Sequence, residues 1–163
     1  MDCLQMTWGN PPPIEPTEPK QGKAINPEDL AGDSESSQQK ALFLWAAQSV
    51  GKYPQLAYMF AVPNGFFATI AQKGKMKAEG LRSGVPDIFL LSRAWKGIGY
   101  VEGYAGCFIE MKIEKYRNRK DGGCSEEQID FINYATSAGY YCKVCYNWME
   151  ARDTLIAYLE GKL

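Results

Sequence analysis

Two short segments of the chain place charged residues inside otherwise apolar, strand-like sequence. The first runs from Gly84-Val85-Pro86-Asp87 into Ile88-Phe89-Leu90-Leu91, and the second is Cys107-Phe108-Ile109-Glu110-Met111-Lys112-Ile113. Charged side chains rarely enter apolar strands unless they are paired or have a chemical role. Two carboxylates and an amine that converge at strand ends would hold a hard divalent cation with a water molecule beside it.

Alternation along the second segment separates its charged side chains from its apolar ones. Successive residues of a strand face opposite sides of the sheet, so Glu110 and Lys112 share one face while Ile109 and Met111 occupy the other. Phe108 and Ile109, which precede the charged pair, favour a central strand. On an exposed edge strand, Glu110 and Lys112 would be only a surface ion pair.

Pro86-Asp87 followed by Glu110-x-Lys112 resembles the signature of the PD-(D/E)xK nuclease superfamily, and the flanking residues are similar to the virus-type replication-repair nuclease (VRR-NUC) domain. The similarity extends from about Glu35 to about Val144. It implies an α/β (α+β) fold with a restriction-endonuclease-like core, in which helices flank a mixed β-sheet. The motifs that carry the resemblance are, in order, Pro63-Asn64-Gly65, Gly80, Gly84-Val85-Pro86-Asp87, Glu110-Met111-Lys112, Ser125-x-x-Gln128 and Gly139-Tyr140.

The resemblance implies a site for Mg²⁺ or Mn²⁺ and no organic cofactor. The metal ligands would be the carboxylates of Asp87, Glu110 and Glu35, together with the backbone carbonyl of Met111. Lys112 would orient the attacking water or stabilise charge on the phosphate, because a lysine beside carboxylates keeps its proton.

Gln128 matches the glutamine that follows the ExK motif in the family, and the resemblance places it with Asp87, Glu110 and Lys112 among the catalytic residues. Structural roles are also open to these residues. Asp87 could cap backbone amides in a turn, Glu35 could favour the dipole of the first helix, and Gln128 could complete a capping box with Ser125.

The activity implied by the resemblance is metal-dependent hydrolysis of DNA phosphodiester bonds in replication, recombination or repair. Small stand-alone proteins of this type resemble homodimeric resolvases, which implies a homodimer acting on branched DNA such as Holliday junctions. The resemblance also suggests a phage or prophage setting, with action in the host cytoplasm.

The composition excludes several kinds of hydrolase. The 163 residues include no histidine, which excludes Ser-His-Asp hydrolases, Cys-His proteases, zincins and nucleases that use a histidine base. The five cysteines favour free thiols in a reducing compartment such as the cytosol. No apolar run is long enough for a membrane span, and the first residues lack the pattern of a secretory signal, so we expect no membrane partner.

The net charge of −1 is unusual for a nucleic-acid-binding protein, but the charge is unevenly distributed. Residues 1–35 contain seven acids and two lysines, a net charge of −5, so the remainder has sixteen basic and twelve acidic residues and a net charge of +4. Two basic runs flank the motifs and could bind phosphates, although short runs can also be solvated faces. They are Lys73, Lys75, Lys77 and Arg82 before the first motif, and Lys115, Arg117, Arg119 and Lys120 after the second.

Residues 1–32 contain six of the nine prolines, which predicts a flexible or partner-docking arm before a nuclease-like domain over 33–163. Hydrophobic periodicity and turn residues predict the order helix, strand, helix, strand, strand, helix, strand, helix in that domain. The predicted ranges are 34–50, 56–61, 66–78, 87–91, 107–113, 125–139, 140–146 and 147–159, with a glycine-rich hairpin tip over 92–106.

Two other functions fit parts of the sequence. A catalytically inactive DNA-binding module could keep the fold, although the intact Asp-Glu-Lys set argues against it. A glycosidase could use a carboxylate pair, but the lysine beside Glu110 and the basic runs favour phosphate over sugar.

Overall fold

The computed structural model describes residues 25–63, 69–94 and 103–163. Four strands form one sheet in the order β1-β2-β3-β4. β1 pairs with β2 and β2 with β3 in antiparallel fashion, whereas β3 and β4 are parallel. The predicted mixed sheet with flanking helices is therefore confirmed. The strands are Met59–Ala61, Ile88–Leu90, Cys107–Met111 and Tyr141–Cys145.

Five helices lie among the described residues, in an order that matches the prediction apart from a short additional first helix. Two 3-10 helices accompany them, Pro54–Tyr58 before β1 and Glu114–Tyr116 after β3. The α-helices are α1 Pro27–Leu30, α2 Glu35–Ser49, α3 Ile70–Ala78, α4 Glu126–Ser137 and α5 Trp148–Leu159.

One face of the sheet forms the core with α2 and α5. Alternation along β3 directs Cys107, Ile109 and Met111 to this face, and each of them is buried. Burial of each such large apolar side chain contributes about 1.5–3 kcal/mol. The two helices supply side chains that include Leu42, Ala46, Leu155 and Tyr158.

The opposite face of the sheet packs against α4. The ring of Phe108 in β3 contacts that of Phe131 in α4 in an edge-on arrangement, with 5.4 Å between centroids. Glu110 alternates with Ile109 and so belongs to this second face. The sequence prediction that Glu110 faces the opposite side of the sheet from Ile109 and Met111 is confirmed by this arrangement.

The helix starts follow capping rules. Ser34, Ser125 and Asn147 each accept a backbone N–H bond at the start of α2, α4 and α5, as is typical of serine and asparagine at these positions. Thr69 caps α3 in the same way, so this helix begins at Ile70.

One predicted element differs from the observed one, and two others lie partly outside the described residues. The predicted strand over 56–61 begins as a 3-10 helix, because Pro54 at its first position fixes a helical φ and a short apolar run does not distinguish helix from strand. The predicted helix over 66–78 has its first residues outside the described part, as do Asn64 and Gly65 of the predicted turn. The central part of the predicted hairpin tip, 95–102, also lies outside it.

The end of the predicted arm carries structure. In α1, Pro27 is buried and Leu30 packs against the core, while Gln48 of α2 donates to the carbonyl of Ile25 at 3.0 Å. Residues 1–24 lie outside the described ranges. Each helix that the structure describes is too short or too polar to cross a membrane.

Candidate active site

Asp87 and Glu110 lie opposite each other on neighbouring strands. The register of β2 and β3 pairs Ile88 with Ile109, so the preceding Asp87 faces the following Glu110. Asp87 Oδ2 accepts a hydrogen bond from the Met111 amide at 2.9 Å, and its carbonyl accepts one from Val62 N at 2.8 Å. Asp87 therefore joins the ends of three strands, and its carboxylate is fixed on the β3 backbone.

Glu110 is almost fully buried, with 1% of its surface exposed. Its Oε1 accepts two hydrogen bonds, from Lys112 Nζ at 2.7 Å and from Gln128 Nε2 at 2.5 Å. Its Oε2 is buried without a hydrogen-bond partner among the described residues. A buried carboxylate oxygen without a partner is costly, and such an atom is typical of a site that binds a ligand.

The charges of this cluster perturb one another. Burial, and then the negative charge of Asp87, raise the pKa of Glu110 to about 7, although the hydrogen bond and charge of Lys112 act in the opposite direction. Burial lowers the pKa of Lys112, but the hydrogen bond and charge of Glu110, with the charge of Glu35, outweigh it and leave that pKa raised. Lys112 is therefore protonated at neutral pH.

Glu35 is the first residue of α2 and lies within electrostatic reach of the same cluster. Partial burial raises the pKa of Glu35; the positive charges of Lys112 and Lys115 lower it, and the negative charge of Asp87 raises it. The N-terminus of α2 thus brings a third carboxylate toward Asp87 and Lys112. Its position also favours the helix dipole, so the two explanations given for this residue are compatible.

Gln128 connects the start of α4 with the buried carboxylate. Its Oε1 accepts a hydrogen bond from the Ser125 amide at 2.9 Å, which completes the capping box. Its Nε2 is then directed to Glu110 Oε1. The structural alternative for Gln128, a capping box with Ser125, is therefore present, and the same side chain also contacts Glu110; its catalytic role stays a prediction.

The donors in this cluster fit a hard divalent cation by their chemistry. Glu110 Oε2 is a buried carboxylate oxygen to which no described residue donates a hydrogen bond, and Mg²⁺ and Mn²⁺ prefer carboxylate oxygens. Within the described ranges, however, no three His, Cys, Asp or Glu side chains form a group that could hold a metal ion. Both Glu110 Oε1 and Asp87 Oδ2 accept hydrogen bonds from the protein, so the metal-ligand set remains a prediction.

The first predicted basic run lies at the surface. The side chain of Lys75 is exposed and pairs with Glu79 at 3.7 Å, and Lys77 is exposed. Arg82 lies over the ring of Phe131, 5.9 Å from its centroid. The side chain of Lys73 is outside the described part of the structure.

The side chains of the second predicted basic run are exposed and differ in their contacts. Lys115 lies over the ring of Tyr116, 4.8 Å from its centroid. Lys115 is exposed and electrostatically coupled to Glu35, and Lys120 is also exposed. Arg119 pairs with Asp121 at 3.3 Å. Lys115 is thus the member of this run whose charge acts on a carboxylate of the cluster, that of Glu35.

Arg117 connects the loop that follows β3 to neighbouring residues through ion pairs and a ring contact. Its guanidinium binds Glu114 at 2.5 Å and Glu150 at 2.9 Å, and it lies over the ring of Tyr146, 4.4 Å from the centroid. These contacts raise the pKa of Arg117, chiefly through its hydrogen bonds to the two glutamates. Arg117 therefore fastens the loop to α5 in this structure.

Sequence reasoning missed Cys124 as a neighbour of the site. This thiol is buried, and burial, followed by the negative charge of Glu110, raises its pKa, whereas the charge of Lys112 lowers it. Its only sequence signal is its position directly before the Ser125 cap, because the loop that returns the chain to Glu110 has no recognisable pattern.

Comparisons with known proteins agree with the fold. No protein-family model matches the sequence, and no curated protein is significantly similar to it. A solved structure described as a "VRR_NUC domain protein" is similar, with a TM-score of 0.59 and 20% sequence identity over 79% of this chain and 90% of that chain. The chain therefore has the fold of that VRR_NUC domain protein, and the resemblance seen in the sequence is confirmed at the level of the fold.

Proposed function

We propose that the protein is a metal-dependent DNA endonuclease. The observation that carries this proposal is the position of Asp87, directly before β2, opposite Glu110 of β3. Lys112 is bonded to one Glu110 oxygen, and the other oxygen has no partner in the described part of the chain. This arrangement occurs on the fold of a VRR_NUC domain protein. Carboxylates and a lysine at one position of a sheet suit the hydrolysis of a phosphodiester.

Asp87, Glu110 and Glu35 would supply carboxylate oxygens to Mg²⁺ or Mn²⁺, and Met111 its backbone carbonyl. When bound, the cation would lower the pKa of a coordinated water and neutralise charge on the phosphate. The fixed orientation of Asp87 on the Met111 amide favours this role, because a ligand that is already oriented loses little freedom on binding.

Lys112 acts in this proposal as a positive charge and not as a base. Its raised pKa keeps it protonated, so it orients the attacking water and stabilises the negative charge that develops on the phosphate. Gln128 holds Glu110 Oε1 from the other side and keeps the carboxylate in one orientation. Water would then attack the phosphorus in line with the leaving oxygen, so that the new P–O bond forms as the bond to the leaving oxygen breaks. The water would lose its proton to solvent, and the leaving oxygen would take one up from solvent.

For the substrate, we infer branched DNA such as a Holliday junction, cut by a homodimer during replication, recombination or repair. Lys115 is exposed and its charge acts on Glu35, which supports phosphate binding near the site. Lys77 and Lys120 are exposed as well. Two sites related by two-fold symmetry would cut two strands of a symmetric junction. Action in the cytoplasm of a phage-infected or prophage-carrying cell belongs to the same proposal.

A cleavage panel tests the proposal. Labelled duplex, flap, splayed and four-way DNA are incubated with the wild type in Mg²⁺ or Mn²⁺ and in EDTA. We expect metal-dependent cutting, with symmetric nicks in the four-way junction. If the flap is the preferred substrate, the protein processes single-strand tails and does not resolve junctions. If no DNA is cut, the endonuclease proposal is refuted.

One observation favours a catalytically inactive DNA-binding module as the second candidate. Lys112 is ion-paired with Glu110, and the described residues contain no ready group of three metal-ligating side chains. In this case the protein would bind DNA on the same panel without metal-dependent cutting.

A further inference from the structure

Three phenylalanines form a row across the sheet, which we call the aromatic row: Phe60 in β1, Phe89 in β2 and Phe108 in β3. The strand register pairs Phe60 with Phe89 and Phe89 with Phe108. The ring centroids are 5.6 Å apart in the first pair and 4.4 Å apart in the second. The rings therefore form a continuous aromatic surface that runs perpendicular to the strands.

The aromatic row lies on the same face of the sheet as the carboxylate pair. Phe89 follows Asp87 by two residues and Phe108 precedes Glu110 by two, and side chains two apart in a strand share a face. The spacing along the strand is about 6.6 Å, from a rise of about 3.3 Å per residue. Row and carboxylate pair thus run side by side across β2 and β3.

The two ends of the row differ in exposure. At the β3 end, the rings of Phe131 and Tyr140 contact Phe108 at 5.4 and 5.6 Å. At the β1 end, Phe60 is 49% exposed. The row therefore begins with a half-buried Phe108 that packs against Phe131 and Tyr140, and it ends at a ring that is open to solvent.

Gly106 is part of the construction of the row. A Cβ at this position would lie 2.6 Å from the ring of Phe89, so a larger residue would displace that ring. The absence of a side chain lets Phe89 lie between Phe60 and Phe108. The order of the row consequently depends on a specific residue and not on general apolarity.

We propose that Phe60 stacks on an unpaired nucleobase of the DNA strand whose phosphate lies at Asp87 and Glu110. This inference rests on the proposed endonuclease function and adds a substrate feature to it, a base displaced from its helix beside the cut. Aromatic rings stack on any base and contribute without reading sequence. The position of the row beside the carboxylates, with the Arg82 guanidinium over Phe131 on the same side, favours a nucleotide over an apolar protein segment.

The test measures binding of flap and four-way DNA in Ca²⁺, which supports binding to many Mg²⁺ sites while the substrate stays intact. Each DNA is compared with a series in which an abasic site is moved one nucleotide at a time across the cut position. At one position of the series, we expect the wild type to bind the intact DNA about 5- to 150-fold more tightly than the DNA that lacks the base. This ratio corresponds to a stacking energy of about 1–3 kcal/mol.

Phe60→Ala is expected to abolish this preference and to leave the affinity for the abasic DNA unchanged, whereas Phe60→Trp retains the preference. Met149→Ala is the matched control, because Met149 is 48% exposed and belongs to α5 on the other side of the sheet. Since Phe60 is half exposed, its replacement by Ala is expected to lower the unfolding temperature by only a few degrees.

Several results would overturn the inference. The first is that Phe60→Ala keeps the preference for intact over abasic DNA. The second is that Phe60→Ala lowers the affinity for intact DNA and for abasic DNA by the same factor. A dimer that dissociates in Phe60→Ala would assign the surface to a second copy of the chain, and a large loss of thermal stability would assign it to the chain's own packing. If any of these results occurs while metal-dependent cleavage persists, the stacking role of Phe60 is wrong but the endonuclease proposal is kept. If the wild type binds no DNA, both proposals are refuted.

Discussion

Gln128 donates a hydrogen bond from Nε2 to Glu110 Oε1 at 2.5 Å, and the N-terminal cap of α4 determines its direction. The amide oxygen of Gln128 is occupied by Ser125 N, so only the amide nitrogen is directed at the carboxylate. Lys112 binds the same carboxylate oxygen. The capping box of a helix therefore directs a hydrogen-bond donor at the carboxylate in the centre of the candidate site, whose Oε2 has no partner within the described ranges.

The variant Gln128→Glu separates the two roles of this side chain. Glutamate suits the third position of a capping box, so α4 should remain folded, but the hydrogen bond to Glu110 is replaced by repulsion. We expect DNA cleavage to fall about 10- to 100-fold, from the 1.5–3 kcal/mol of a hydrogen bond to a charged group. Single-turnover rates measure the effect.

Gln72→Glu is the control for this comparison, because Gln72 completes the corresponding capping box of α3 with Thr69. Its cleavage rate should equal that of the wild type. Equal rates for the two variants would mean that the contact between Gln128 and Glu110 has no part in the reaction.

Removal of Lys112 should destabilise the protein in a pH-dependent way. Lys112→Met leaves Glu110 buried without its ion-pair partner, and breaking such a pair costs about 3–5 kcal/mol. Glu110 escapes part of this cost by taking up a proton, so the loss should be smaller at pH 5.5 than at pH 8. Urea unfolding at both values measures it, with the exposed Lys120→Met as the control. A loss that does not depend on pH would contradict the pairing.

The raised pKa of Glu110 predicts how stability changes with pH. Below pH 4.5 the group is protonated in the folded and the unfolded state, so it has no effect. Between pH 4.5 and about 7 the unfolded state loses its proton first, and the free energy of unfolding falls as pH rises, by up to about 1.4 kcal/mol per pH unit. Above about pH 7 the group is ionised in both states, so it causes no further change in the free energy of unfolding.

Thermal or urea unfolding in EDTA across this range measures that slope. Glu110→Gln should have a shallower slope, although Glu35, whose pKa is also raised, contributes in the same direction and keeps it from zero. Addition of Mg²⁺ at pH 7.5 should stabilise the wild type more than the variant. Identical slopes for the two proteins would contradict the perturbed titration of Glu110.

Gly84 is predicted to be essential for the approach to Asp87. Its φ of +83° lies in the left-handed region, and a Cβ there would lie 2.3 Å from the carbonyl oxygen of Glu127 at the start of α4. Gly84→Ala should therefore lower the free energy of unfolding by at least about 1–3 kcal/mol and reduce cleavage. Gly51→Ala, with open space around its Cβ, should do neither.

The parts of the site that could be predicted from sequence depend on local patterns. Alternation along one strand is enough to separate Glu110 and Lys112 from Ile109, and the Ser125 cap follows from residue types three apart. The contact of Gln128 with Glu110 depends on how α4 packs against the sheet, which no local pattern specifies. The position of Cys124 depends on the path of the loop after β3.

The aromatic row illustrates the same difference. Phe60, Phe89 and Phe108 each read as ordinary apolar residues of separate strands. Their alignment depends on the antiparallel registers of β1, β2 and β3, and short strands do not specify a register by themselves. The 3-10 helix before β1 was missed for a related reason, since a short apolar run after Pro54 is compatible with either conformation.

The most direct test of the central claim is the rate of DNA cleavage in Mg²⁺ by the wild type and by Asp87→Asn, with Asp130→Asn on the exposed face of α4 as the control. Asparagine keeps an acceptor for the Met111 amide but removes the charge of the carboxylate. We expect metal-dependent cutting by the wild type and the control, and a loss of at least about 100-fold in Asp87→Asn. Equal cutting by all three proteins, or no cutting by the wild type, would contradict it.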